Sequence, residues 1–97
     1  MTPRQSLQTL ITLYSKPDTW CQGSGAVDSN GDAVMPDGSD ACKWCLWGAC
    51  FRFNIKPGDV FNNGKGELFY RIVNWNDDPK RTQADVLAML KHKLKAG

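Results

Sequence analysis

Leu7, Leu10, Ile11 and Tyr14 recur at i, i+3, i+4 and i+7, the spacing that stacks apolar side chains on one face of an α-helix. Thr2 before Pro3, with Gln5 three positions after Thr2, reads as a capping-box start, and Pro17 closes the segment. A helix is therefore predicted over 1–16. The pattern then changes. Trp20-Cys21-Gln22 and Ala26-Val27 flank a Gly-Ser-Gly turn, and Asp28-Ser29-Asn30-Gly31-Asp32 precedes Ala33-Val34-Met35. Asn-Gly is a favoured hairpin dipeptide, so the segment 19–35 is predicted to hold two short strands joined at Asn30-Gly31. Two strands alone are marginal in water, so they must lean on helices.

From Ala41 to Phe53 the chain is apolar almost all round, with only Lys43 and Arg52 charged. A helix apolar on every side is buried on every side, which predicts a central helix over 40–53. Gly48 costs about 1 kcal/mol inside a helix, so it is expected to serve the close approach of a neighbouring element. Lys56-Pro57-Gly58-Asp59 and Asn62-Asn63-Gly64-Lys65-Gly66 read as turns, with Val60-Phe61 between them pinning the loop to the core. Leu68, Phe69, Ile72 and Val73 predict a short helix over 66–74. After a polar connection, Thr82 caps a final helix over 82–95 whose inward face is Val86, Leu87, Leu90 and Leu94. The expected fold is α+β and mostly helical. It is one domain spanning 1–97, with three main helices, one short helix and a two-stranded hairpin packed on the central helix. Trp20, Trp44, Trp47 and Trp75 are expected to be buried or to line one groove.

Ninety-seven residues fit one domain, and 41% hydrophobic residues suffice for a core. No apolar run approaches the roughly 20 residues of a membrane span, and the first residues lack a secretory pattern, so a soluble, cytoplasmic protein is expected. The net charge of +2 is unevenly spread: residues 1–50 carry three Lys/Arg against five Asp, while 51–97 carry nine against five Asp/Glu. Lys80, Lys91, Lys93 and Lys95 form a candidate basic patch for nucleic acid. Cations near a helix C-terminus also complement its dipole, and that plainer role is favoured.

Cys21, Cys42, Cys45 and Cys50 are the candidates for a zinc or iron–sulfur site. On a helix Cys50 would sit about 140° round from Cys45, so the four do not converge, and buried core thiols are expected without metal or cofactor. A nucleophilic cysteine would need a base, and the single histidine, His92, stands in the lysine-rich last helix. Asp28–Asp32 starts like a calcium loop, but Ser39 stands where the closing glutamate belongs, which leaves a hairpin turn. The densest polar cluster is Trp75-Asn76-Asp77-Asp78-Pro79 with Arg81-Thr82. Together with Trp20 and Gln22 it forms a candidate interaction loop: Trp20, Gln22, Trp75, Asn76, Asp77 and Arg81.

The ordered set Trp20-x-Gln22-Gly23, Asp28-x-x-Gly31, Asp40-Ala41-x-x-Trp44-Cys45-Leu46-x-Gly48-Ala49, Trp75-Asn76-Asp77-x-Pro79-x-Arg81-Thr82 and Asp85-Val86-Leu87 resembles a family of small bacterial and phage proteins classed as a domain of unknown function. In that family the counterpart of Cys45 belongs to the motif, whereas positions like Cys42 and Cys50 are commonly aliphatic or polar. The resemblance brings no activity or catalytic residue. It implies a phage or mobile-element source, where small domains often act by binding a host protein. The sequence reading is thus a non-catalytic interaction protein with a host-derived protein partner, an inhibitor of host defence being one form. The alternatives are a nucleic-acid-binding accessory using the basic last helix, and a small-molecule binder or enzyme using the Trp75–Arg81 loop.

Overall fold

The computed structural model describes residues 2–61 and 68–96. The first helix, α1 (Pro3–Tyr14), begins as its sequence dictates. Thr2 Oγ1 accepts from the Gln5 amide at 3.1 Å, Gln5 Oε1 accepts from the Thr2 amide at 2.8 Å, and Pro3 opens the helix. Leu7, Leu10, Leu13 and Tyr14 face the core. The last helix, α4 (Gln83–Ala96), starts with the same device, Thr82 and Asp85 exchanging side-chain and backbone bonds. Val86 and Leu90 are fully buried on its inward face, and Leu87 and Leu94 pack beside them. The most extensive helix–helix packing in the described chain is between α1 and α4.

The middle of the chain departs from its predicted form. The strand β1 (Ala26–Val27) pairs antiparallel with β2 (Lys43–Trp44), in the register Ala26–Trp44 and Val27–Lys43. The expected return limb of the hairpin survives only as a single bridge between Val27 and Ala33. The turn itself forms: Asp28 Oδ1 accepts from the Asn30 and Asp32 amides at 2.9 and 3.0 Å, and Gly31 takes the left-handed φ of 85° that Asn-Gly turns require. The limb after it ends at Pro36, which has no N–H to donate, and Met35 faces solvent. Pairing with Lys43–Trp44 instead places the Trp44 ring in the core.

The central helix is accordingly shorter than its apolar run. Residues 43–44 are extended, Cys45 is the helix cap, and α2 spans Leu46–Arg52. Long-range bonds hold the extended part. The Trp44 amide donates to Thr19 at 2.8 Å, and the Trp44 carbonyl accepts from Cys21 N and from the Tyr14 hydroxyl. A helix through Trp44 would have to break all three. Nor is α2 buried on every side, since Phe51 is 54% exposed. Asn54, at a φ of 55°, turns the chain after it, and a short 3-10 turn (Pro57–Asp59) delivers Val60, which is buried, and Phe61, which packs on the core. The expected pinning role of that pair is what the structure shows. The predicted turn at 62–66 and the first two residues of the predicted helix 66–74 lie outside the described residues; from there α3 covers Leu68–Asn76.

Trp44 is buried, whereas Trp20, Trp47 and Trp75 are half-buried and pack against the core. Among the described residues no helix is long and apolar enough to cross a membrane. Gly48 has the neighbour its sequence position demanded. A Cβ there would collide with the Gly25 carbonyl oxygen and lie 2.6 Å from the Gly25 carbonyl carbon, and both are backbone atoms that cannot swing away. Gly48→Ala is predicted to cost about 3 kcal/mol, the upper end of core overpacking, read as a lowered urea midpoint. Gly58→Ala, where the added methyl meets nothing within 4 Å, should stay within about 0.5 kcal/mol of wild type.

Candidate functional site

The motif segments, far apart in sequence, meet at the C-terminus of α3. Asn76 is fully buried there. Its Oδ1 accepts from Trp20 Nε1 at 2.7 Å and from the Leu46 amide at 3.0 Å, and its Nδ2 donates to the Cys21 carbonyl at 3.1 Å and to Asp77 Oδ1 at 2.9 Å. An amide offers two acceptor and two donor sites, and all four are used. Gln22 Nε2 adds bonds to the Asn76 and Asp78 carbonyls, at 2.9 and 2.8 Å. The Gly23 amide donates to Asp77 Oδ1 at 3.2 Å. The N-terminus of α2, the segment before β1 and the end of α3 are thereby tied together.

Arg81 serves the other side of the same turn. Its Nε donates to the Trp75 carbonyl at 3.0 Å, its guanidinium lies 3.9 Å from the Trp75 ring centroid, and it forms a 3.9 Å ion pair with Asp78. Five of the six candidate loop residues thus make specific polar bonds to the scaffold, and Trp75 contributes its carbonyl and ring to hold Arg81. Asp77 and Arg81 do not converge on one point. Among the described residues, no buried side-chain nitrogen or oxygen lacks a partner.

A cavity of about 140 Å³ opens beside this network. One wall is the loop Gly23–Gly25, a second is Cys45 and Trp47 at the start of α2, and a third is Phe69 and Val73 of α3 with Asp77 just past its end, spaced four residues apart. From its sequence, Cys45 is expected inside a helix among apolar neighbours. In the structure it caps α2, its Sγ accepting from the Gly48 amide at 3.3 Å while lining the cavity. The cue in the sequence was Gly48, which signalled a close neighbour without saying which one.

The four cysteines are free thiols, and among the described residues no cluster of three or more His, Cys, Asp or Glu could hold a metal. Cys21 Sγ donates to the Ser24 carbonyl and Cys42 Sγ to the Val27 carbonyl, while Cys50 lies in the core. Burial pushes the thiols of Cys21 and Cys50 up to about 12. Burial also raises Cys45, opposed by the Gly48 and Trp47 amides that favour a thiolate and assisted by nearby Asp77. The Cys45 thiol is therefore held in its neutral form. Tyr14, buried with its hydroxyl on the Trp44 carbonyl, is raised well above its ordinary 10.0 by the same cause.

The basic candidates are not brought together. Lys80 precedes α4 while Lys91, Lys93 and Lys95 stand at its far end, and 14 helical residues span about 20 Å. Lys93 also points differently from its neighbours, with its Nζ 5.2 Å from the Phe61 ring centroid. His92 is exposed on α4. Among the described residues, three of the exposed large apolar side chains lie on α2 and α3. Phe51, Phe69 and Tyr70 are 54%, 41% and 58% exposed. The Trp47 and Phe69 rings meet edge to face at 4.8 Å, and Phe69 and Tyr70 at 5.3 Å. Trp47 and Phe51 share a groove of about 510 Å³ with Arg52 and Pro57.

Replacing Asn76 by Leu leaves the Leu46 amide and Trp20 Nε1 without acceptors, at about 1–3 kcal/mol for each stranded group. Asn76→Leu is therefore expected to lose about 4 kcal/mol in urea denaturation, against less than about 0.5 kcal/mol for exposed Asn74→Ala. Stability should also fall in alkali. Below the ordinary thiol value of 9.0 both folded and unfolded chains hold these protons, and the full stability is present. Between 9.0 and about 12 the unfolded chain releases them first, so stability declines as pH rises through that window. Urea midpoints measured across it should drop, and drop less in a Cys21→Ala, Cys50→Ala double variant.

In comparison with known proteins, the chain matches no family model, no curated protein and no solved structure.

Proposed function

We propose that this chain is a small, non-catalytic interaction module that docks onto a protein partner through the aromatic surface of α2 and α3. The observation that carries this reading is the chain of ring contacts from Trp47 through Phe69 to Tyr70, with Phe51 lining a groove beside Trp47. Isolated exposed apolar residues are ordinary, but a connected aromatic group is a feature of binding surfaces, where Trp and Tyr dominate the energetics. The state of the polar motif residues supports the non-catalytic half. Trp20, Gln22, Asn76 and Arg81 are occupied with backbone and ring contacts, and the Cys45 thiol is kept neutral rather than activated.

The motif resemblance supports a phage or mobile-element source. In that setting the partner is a host protein in the host cytoplasm, and inhibition of a defence component is one form the interaction would take. The nucleic-acid alternative draws less support, because Lys80 is separated from Lys91, Lys93 and Lys95 by the length of α4.

The test is comparative crosslinking and capture from a bacterial host lysate. Wild-type protein should retain a specific partner that a Phe51→Ser, Tyr70→Ser double variant loses, at a cost of about 2 kcal/mol or more for at least one of the two side chains. Both positions are exposed, so the variant's thermal unfolding should match wild type. Equal capture by the double variant, or capture abolished by high salt instead, would remove the aromatic-docking reading.

A further inference from the structure

We infer that the cavity between the Gly23–Gly25 loop, Cys45 and α3 is a binding site for a small alkylammonium group. Three observations converge on that chemistry. The first is a carboxylate outside any ion pair among the described residues. Asp77 lines the cavity and uses Oδ1 to accept from Gly23 and Asn76, yet no lysine or arginine among the described residues pairs with it. Arg81, the nearest cation in sequence but one, is committed to Asp78 and the Trp75 ring.

The second is the aromatic wall. Trp47 and Phe69 border the same space, and a cation within about 6 Å of such a ring is attracted by its quadrupole. Val73 adds an apolar surface suited to methylene groups rather than to a metal ion. The third is size. A volume of about 140 Å³ exceeds by roughly tenfold the 10–15 Å³ that admits one water, so a short alkyl chain fits. The neutral Cys45 thiol contributes polarizable bulk without a competing charge.

The ammonium would come either from a free amine or from a lysine side chain presented by a protein. The inference goes beyond the docking surface and does not need a partner to be tested, although Trp47 and Phe69 border both features. The experiment is a titration of the intact protein with n-butylammonium chloride, followed by backbone amide NMR. The expected result is saturable shifts at Gly23, Ser24 and Gly25 and at the Trp47 indole, with n-butanol giving none of them. Asp77→Asn keeps an acceptor for the Gly23 amide but removes the charge. It should weaken binding about tenfold, in line with loss of one partly screened charge pair. Phe69→Leu, at a partly exposed site, should weaken it by a smaller factor and guards against a folding defect in the first variant. Tighter binding of Nα-acetyl-lysine-methylamide than of n-butylammonium, lost on Nε-acetylation, assigns the source to a lysine side chain; equal binding assigns it to free amines. Identical shifts with n-butanol, absence of shifts, or unchanged affinity in Asp77→Asn would overturn the site. Those results would leave the Phe51 and Tyr70 capture experiment untouched, so the two readings fail separately.

Discussion

Asn76 accepts from Trp20 and Leu46 and donates to Cys21 and Asp77, and one side chain thereby fixes the relative position of three chain segments. Burying a primary amide is unfavourable unless its hydrogen-bonding capacity is met, and here every site is met by a group that itself needs a partner. The Leu46 amide is one of the orphan donors at the start of α2, and the Trp20 indole would otherwise bury its N–H for nothing. The bonds therefore hold only in one arrangement of α2, α3 and the segment before β1. Because Asp77 follows directly and Cys45 directly precedes Leu46, the same network sets where the cavity walls stand.

A second constraint acts on the same segments. Gly25 and Gly48 bring two backbones into direct contact, closer than any side chain would allow. Two very short strands are marginal alone, and here they are stabilised by that contact, by the Tyr14 hydroxyl on the Trp44 carbonyl, and by burial of the Trp44 ring. Dry packing also decides the chemistry of the thiols. Cysteines in an electropositive, accessible setting ionise and react, whereas Cys21, Cys45 and Cys50 are raised by burial and remain neutral packing groups or weak donors. The interior is a scaffold, and what faces outward is a ring surface on α2 and α3 beside a small acidic-walled cavity.

Those two outward features share Trp47 and Phe69 but differ in what they would offer a ligand. The aromatic surface would offer area, which gives affinity with little selectivity, while one carboxylate in a confined space would offer discrimination by charge. The cavity sits at the junction that the motif residues build.

What the residues alone determined are the features governed by local rules. Capping boxes at Thr2 and Thr82, the apolar stripes of α1 and α4, the Asp28–Asp32 turn and the glycine at position 48 each follow from neighbours a few positions away, and each is present. The mostly helical α+β class follows from their sum. The strand partner of Ala26–Val27 was not legible, nor was the start of α2, because an apolar run such as 41–53 suits a buried strand or a buried helix equally by periodicity. The choice fell to bonds from Thr19, Cys21 and Tyr14 to Trp44, partners distant in sequence. The site follows the same division: the Trp-Asn-Asp and Trp-x-Gln-Gly segments stood out as polar clusters, but only the folded chain joined them through Asn76 and set Cys45 and Asp77 on one cavity.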